Sequence, residues 1–197
     1  SLAWYESGAL FELGEYRNDV AHGTFTRWFE DGDREARFEY RDGLEHGTGI
    51  EWYANGQKRM EAQYREGELH GGLVGWYENG RIRVEGEYVN GQPHGTVTKW
   101  YPSGNVRSEV EYTAGKKHGR VAYWYDNGRP RVLNQYRLGV KHGQETRWYP
   151  AGDMNWQVNY ENGAREGVSK VWDPSGNLVS EVRFRADDQL ETGVAER

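Results

Sequence analysis

From Ile82 to Val89 the chain alternates, with Ile82, Val84, Gly86 and Tyr88 on one side and Arg83, Glu85, Glu87 and Val89 on the other. A period of two predicts a half-buried β-strand with one aromatic and one charged face. The pattern returns as Val110 and Tyr112 against Glu109 and Glu111. Two kinds of punctuation separate the alternating runs. Trp76-Tyr77 closes one strand and Glu78-Asn79-Gly80 turns the chain, because Asn-Gly readily takes positive φ. Asn90-Gly91-Gln92-Pro93-His94-Gly95 is then predicted to turn it back into Thr96 to Tyr101. One unit is thus a β-hairpin.

The unit repeats. Trp4, Trp28, Trp52, Trp76, Trp100, Trp124, Trp148 and Trp172 are spaced by 24 residues without an insertion, and only Trp156 lies off that grid. Each grid Trp is followed four residues later by Gly and twelve residues later by Tyr16, Tyr40, Tyr64, Tyr88, Tyr112, Tyr136, Tyr160 or Phe184. All six His fall in one column, at His22, His46, His70, His94, His118 and His142, each just before a Gly. An isolated hairpin is marginal in water, so the units must stack edge to edge and share an aromatic stripe. The expected fold is all-β: an elongated single antiparallel β-meander of eight 24-residue hairpins over residues 1–197, with 173–197 as a C-terminal cap. At a strand spacing of ~4.8 Å, eight hairpins would extend for roughly 75 Å.

Composition supports an aromatic rather than an aliphatic core. Leu, Ile, Val and Phe number only 33 of 197 residues, a level at which disorder is the default reading. Nine Trp, 14 Tyr and five Phe overturn it, since disordered chains are poor in large rings. The formal net charge of −6, with Lys and Arg scattered, gives no footprint for a phosphate backbone and argues against nucleic acid as a partner. No run of apolar residues reaches the ~18 a membrane helix requires. With no Cys, disulfides and thiolate sites are excluded.

Units such as Trp76-Tyr77-Glu78-Asn79-Gly80, followed by Glu85-Gly86-Glu87-Tyr88-Val89-Asn90-Gly91 and His94-Gly95, resemble the MORN repeat, and specifically the bacterial variant of YwqK-type antitoxin-like proteins. The resemblance spans nearly the whole chain. It implies an antiparallel β-meander that binds another protein or a membrane surface. The 24-residue spacing, a residue or so longer than usual, and the Trp-Tyr pair before the turn depart from the usual pattern.

The His column invites a metal-ladder reading, but equivalent atoms in adjacent hairpins are ~10 Å apart, whereas two ligands of one zinc must lie within about 4 Å of each other. Bracing of the turns through ring nitrogens is the favoured reading. Glu61, Glu85, Glu109 and Glu181 recur with the period beside Arg59, Arg83, Arg107 and Arg131, which fits a solvated cross-strand charge face rather than one asymmetric catalytic constellation. No nucleophile elbow, phosphate loop or metal motif stands outside the repeat. The chain is therefore expected to be no enzyme and to hold no catalytic residues, metal or cofactor.

Function is expected where repeats disagree. Leu133 takes a Glu position, Leu138 and Pro130 are added, and the next unit carries Trp156 and has Glu166 in place of its His. Leu133, Leu138 and Trp156 are predicted to form an apolar interaction patch, with Leu133 projecting from the charged face. Tyr77, Tyr101, Tyr125 and Tyr149, which directly follow the Trp, form either a second contact strip or cross-strand packing. Asp173, Asp187, Asp188 and Glu191 read as a capping edge that discourages strand addition. The expected partner is a protein, namely the cognate toxin of a bacterial immunity protein or antitoxin. A membrane-associated scaffold, disfavoured by the negative charge, and a structural array of a larger protein are the alternatives. A chain beginning at Ser1 fits removal of a leader, which favours the periplasm over the cytoplasm.

Overall fold

The computed structural model describes residues 1–193, with side chains through Leu190. The side chain of Glu191 and residues 194–197 of the expected cap lie outside the described residues. The fold is an all-β antiparallel meander of consecutive hairpins, in which the short segments Leu44–Glu45 and Val140–Lys141 pair with the same strand as the segment that follows each of them. Two compact units are distinguished, residues 1–94 and 95–197. The first holds β1 (Leu2–Trp4), β2 (Leu10–Arg17), β3 (Val20–Trp28), β4 (Arg34–Arg41), β5 (Leu44–Glu45), β6 (Gly47–Trp52), β7 (Lys58–Arg65), β8 (Glu68–Trp76) and β9 (Ile82–Val89). The second holds most of β10 (Gln92–Trp100), then β11 (Val106–Thr113), β12 (Lys116–Trp124), β13 (Pro130–Arg137), β14 (Val140–Lys141) and β15 (Gly143–Trp148). It ends with β16 (Met154–Glu161), β17 (Ala164–Trp172), β18 (Leu178–Arg185) and β19 (Asp188–Gly193).

Two turn types alternate. After each Trp the loop is a type I turn closed by a left-handed Gly. Gly128 (φ 79°) donates its N–H to the Tyr125 carbonyl at 3.0 Å, while Tyr125 donates to the Arg129 carbonyl at 2.9 Å, the three-residue hairpin with a bulge. The Asn127 side chain supports it by accepting the Arg129 N–H at 3.0 Å. The other turn has two residues at positive φ, as in Ala114-Gly115 between the paired Thr113 and Lys116. This is the type I′ geometry whose twist matches the strands.

The expected six-residue turn from Asn90 to Gly95 is therefore shorter. Asn90-Gly91 alone reverses the chain, and Gln92–Trp100 is already strand. The His-Gly pair is a bulge inside the strand, as in β12: Val110 pairs Val121 and Tyr112 pairs Lys117, so His118, Gly119 and Arg120 stand against Glu111. Gly119 is required there, because at φ 85° a Cβ would run into the Glu111 carboxylate. That carboxylate accepts the Arg120 N–H at 3.1 Å.

Aromatics also sit differently from expectation. No grid Trp among the described residues is buried, and Trp4 is 59% exposed. The register shifts by one residue just before each grid Trp from Trp4 to Trp172, as between Gly75 and Trp76. Alternation then sets Trp124 on the face away from Val121, with the Arg120 guanidinium 5.7 Å from its ring. The core is instead a central row. In residues 1–94 it runs Gly14, Phe25 and Phe38, then Gly49, Ala62, Leu73 and Gly86. The Phe25 ring fills the space a Cβ on Gly14 would take. In residues 95–193 the row is Val97, Val110, Val121, Asn134, then Glu145 with Val158, and Ser169 with Val182. The expected Tyr column flanks this row half-buried from Tyr40 to Tyr160, with Tyr16 at its start 50% exposed and Phe184 at its end buried.

Candidate interaction surface

On the core face of residues 95–193 two rows border the valines. One runs Lys99, Ser108, Tyr123, Val132, Arg147, Trp156, Val171 and Ser180. The other pairs Tyr112 with Lys117, Tyr136 with Lys141, and Tyr160 with Arg165. Each cation also reaches over the next ring along: Lys117 lies 5.3 Å from Tyr136, Lys141 4.6 Å from Tyr160, and Arg165 4.0 Å from Phe184. Aromatic and cationic side chains thus alternate across the strands, each pair adding cation–π attraction.

The equivalent row in residues 1–94 pairs Tyr16 with Ala21, Tyr40 with Glu45, and Tyr64 with Leu69. Its core face carries Glu12, Glu45 and Glu51 against Arg27. Burial first, then Glu45 and Glu51, pushes the Tyr64 phenol up to about 12. The two units therefore present core faces of opposite sign, a contrast concealed in the net charge of −6.

The sharpest break in the repeat is Glu145, which stands where other units have Val97 and Val121. Its side chain is 2% exposed and accepts hydrogen bonds from Lys141 Nζ at 2.5 Å and Arg147 Nε at 2.6 Å. Burial pulls the Lys141 ammonium down, but the hydrogen bond and charge of Glu145 outweigh it and leave its pKa above the ordinary lysine value. Arg147 in turn lies 4.4 Å from the Trp156 ring, whose Nε1–H donates to Ser169 Oγ at 3.1 Å. Beside the carboxylate, Asn134 Oδ1 is buried with no hydrogen-bond partner among the described residues. Neither Glu145 nor Asn134 was singled out by sequence, although each breaks a valine column and could have been found by aligning the repeats.

The predicted patch residues do not come together. Trp156 lies on the core face, and Leu133 lies half-buried on the charged face, paired with buried Ala122 and Thr146. There Leu133 borders a hollow of about 230 Å³ with Gly119, Arg120, Gln135, Tyr136 and His142. Leu138 is 53% exposed at the tip of a type I′ turn, at φ 50°. Its N–H donates to His118 Nδ1 at 3.3 Å, a turn brace of the expected kind.

The tyrosines after the Trp act as struts between hairpins. Tyr101, Tyr125 and Tyr149 donate their hydroxyls to the carbonyls of Trp124, Trp148 and Trp172 at 2.9, 2.8 and 3.0 Å. Tyr77 is likewise half-buried at its turn, where its carbonyl accepts the Gly80 N–H at 2.9 Å. At the C-terminal end the Asp187 side chain, 52% exposed, reaches back to Arg165 of the preceding hairpin. It accepts from Arg165 Nε at 2.8 Å and the Arg165 N–H at 3.0 Å, and these bonds hold its pKa below the usual carboxylate range.

Family comparison agrees with the repeat geometry. The family model described as MORN repeat variant matches residues 69–90, 93–114 and 165–186, and that described as MORN repeat matches 13–34 and 39–58. No curated protein matches the chain.

Proposed function

We propose that this chain, a MORN-repeat protein, acts by binding and that its specific role is that of a bacterial immunity protein, neutralising a cognate toxin by stoichiometric occlusion. MORN repeats are commonly protein- or membrane-binding and generally non-catalytic scaffolds. The observation that carries the reading is the core face of residues 95–193, where Trp156, Tyr136 and Tyr160 alternate with Arg147, Lys141 and Arg165. Tyr, Trp and Arg are the side chains that dominate binding energy at protein interfaces. Glu145 pins two of those cations, so the surface is organised before a partner arrives, which lowers the ordering cost of association.

The test is co-expression with the product of the neighbouring gene. The proposal expects that product alone to be toxic, growth to be restored by this chain, and a 1:1 complex to survive size-exclusion chromatography. A harmless neighbour, or rescue without a complex, refutes it. The cations of the same face also support a second reading, a scaffold on anionic membranes. Co-flotation with phosphatidylserine vesicles but not neutral ones would favour it.

A further inference from the structure

At one end of that face a hollow of about 200 Å³ opens among Lys99, Ser108, Tyr112, Lys117 and Tyr123, with Val110 beneath. Its lining among the described residues carries cations and hydroxyls and no carboxylate. Among the described residues neither Lys99 nor Lys117 has an ion-pair partner. Ser108 is 5% exposed, and among the described residues neither its hydroxyl nor those of Tyr112 and Tyr123 has a hydrogen-bond partner. A third cation, Arg107, borders the hollow and lies 5.8 Å from the Tyr101 ring. By contrast Lys141 and Arg147 are held by Glu145, and Arg165 by Asp187. The cations without a carboxylate partner are therefore concentrated in the hollow, while further along the row Lys141 and Arg147 share the one carboxylate of Glu145 and so leave a net positive charge.

We propose that the hollow is the anchor site for an aspartate or glutamate side chain of a partner protein, borne on an extended segment that runs across the strands with acidic residues three apart. This deepens the binding reading above and rests on it for the existence of a protein partner. The spacing follows from the sheet. Lys117, Lys141 and Arg165 recur once per hairpin, about 9.6 Å at two strand spacings. A polyproline II segment advances about 9.3 Å in three residues, which places every third side chain on one side. An acidic residue in the hollow thus puts the next two opposite Lys141 and Arg165, while intervening residues lie on Tyr136 and Tyr160 as such segments do on aromatic grooves. The carboxylates of Glu145 and Asp187 beside this row disfavour a broad polyanion and leave room for a single file of chain.

Fluorescence anisotropy of the full chain with a labelled (Glu-Pro-Pro)4 peptide tests this. The expected result is saturable binding at least tenfold tighter than to a peptide of the same composition with its Glu residues contiguous. Lys99→Ala with Lys117→Ala should weaken it tenfold or more, Lys117→Arg should retain it, and the melting temperature should fall only slightly, because the lysines form no ion pair among the described residues and only the Lys117 contact with the Tyr136 ring is lost. Equal binding of the two peptides, or no effect of the double variant, overturns the proposal. So does tighter binding of oligothymidine, inorganic phosphate or phosphatidylserine vesicles through the same lysines. If the neighbouring gene product forms its complex regardless of Lys99 and Lys117, the anchor site falls and the immunity reading stands. If the peptide binds as expected while that gene product is harmless, the anchor site stands and the immunity reading falls.

Discussion

Replacing Lys141 and Arg147 by Met, which keeps their apolar stems over Tyr160 and Trp156, should strand a carboxylate that the sheet covers almost completely. Glu145 is 2% exposed at its side chain, whereas Lys141 and Arg147 are 30% and 47% exposed. The penalty therefore falls on the acid. Each charge-assisted bond is worth about 1.5–3 kcal/mol, and the partial exposure of both cations places each near the lower end. Two such bonds, together with the desolvation left uncompensated, give an expected loss of about 3–5 kcal/mol for the double variant. Adding Glu145→Val, the residue at the equivalent Val97 and Val121, should recover all but about 1 kcal/mol, because the half-exposed cations are no longer needed. Urea unfolding of the wild type, the double and the triple variants, read by tryptophan fluorescence, measures the cycle. A double variant that loses less than 1 kcal/mol, or a triple variant no better than the double, would refute the view that these cations exist to satisfy Glu145.

Leu138→Asn should stabilise the protein by about 1 kcal/mol in the same assay, since Leu138 holds φ 50° where Asn18, Asn90 and Asn162 occupy the same turn position at ordinary cost. Leu133→Glu restores the residue of Glu61, Glu85, Glu109 and Glu181 and should leave the chain folded. If the charged face contributes to the complex, partner affinity measured by calorimetry falls tenfold or more, and unchanged affinity removes Leu133 from the interface. Tyr64 ionises in the fold at about 12, above its ordinary 10. Because its neutral form is the one the fold favours, the stability it contributes is intact below pH ~10 and is lost as pH rises towards 12. Tyr64→Phe should remove that alkaline step from a thermal-melt series, and an unchanged series would count against it.

The hairpin repeat was legible because it is written in backbone requirements. A left-handed residue after each Trp and a Gly opposite Glu111 are demands that few side chains satisfy, so they recur at Gly128 and Gly119 with the period. The bulge was harder to read. His118-Gly119 looks like turn punctuation, and only the pairing of Tyr112 with Lys117 reveals three residues opposing one. The Trp positions misled for a related reason: a large ring recurring every 24 residues reads as core, yet the shift beside Trp124 turns it away from Val121. The strut role of Tyr125 was invisible because its acceptor, the Trp148 carbonyl, lies 23 residues away and carries no sequence signature.

Turn and bulge positions are fixed by conformation, but the positions beside the central row only have to cover it. Tyr64 is flanked by Leu69 and Tyr136 by Lys141 on the same backbone frame, and both pairs keep the register. A lysine stem shields apolar neighbours about as well as leucine while its ammonium stays in water. The sign of the surface can therefore change from one hairpin to the next without disturbing the turns, which accounts for Glu45 and Lys117 occupying equivalent places. A buried carboxylate such as Glu145 is admitted only where two cations in adjoining rows reach it, and Lys141 and Arg147 are the pair that do. The scaffold thus explains both the regularity of the backbone columns and the local freedom of the surface ones, and it locates any binding specificity in the latter.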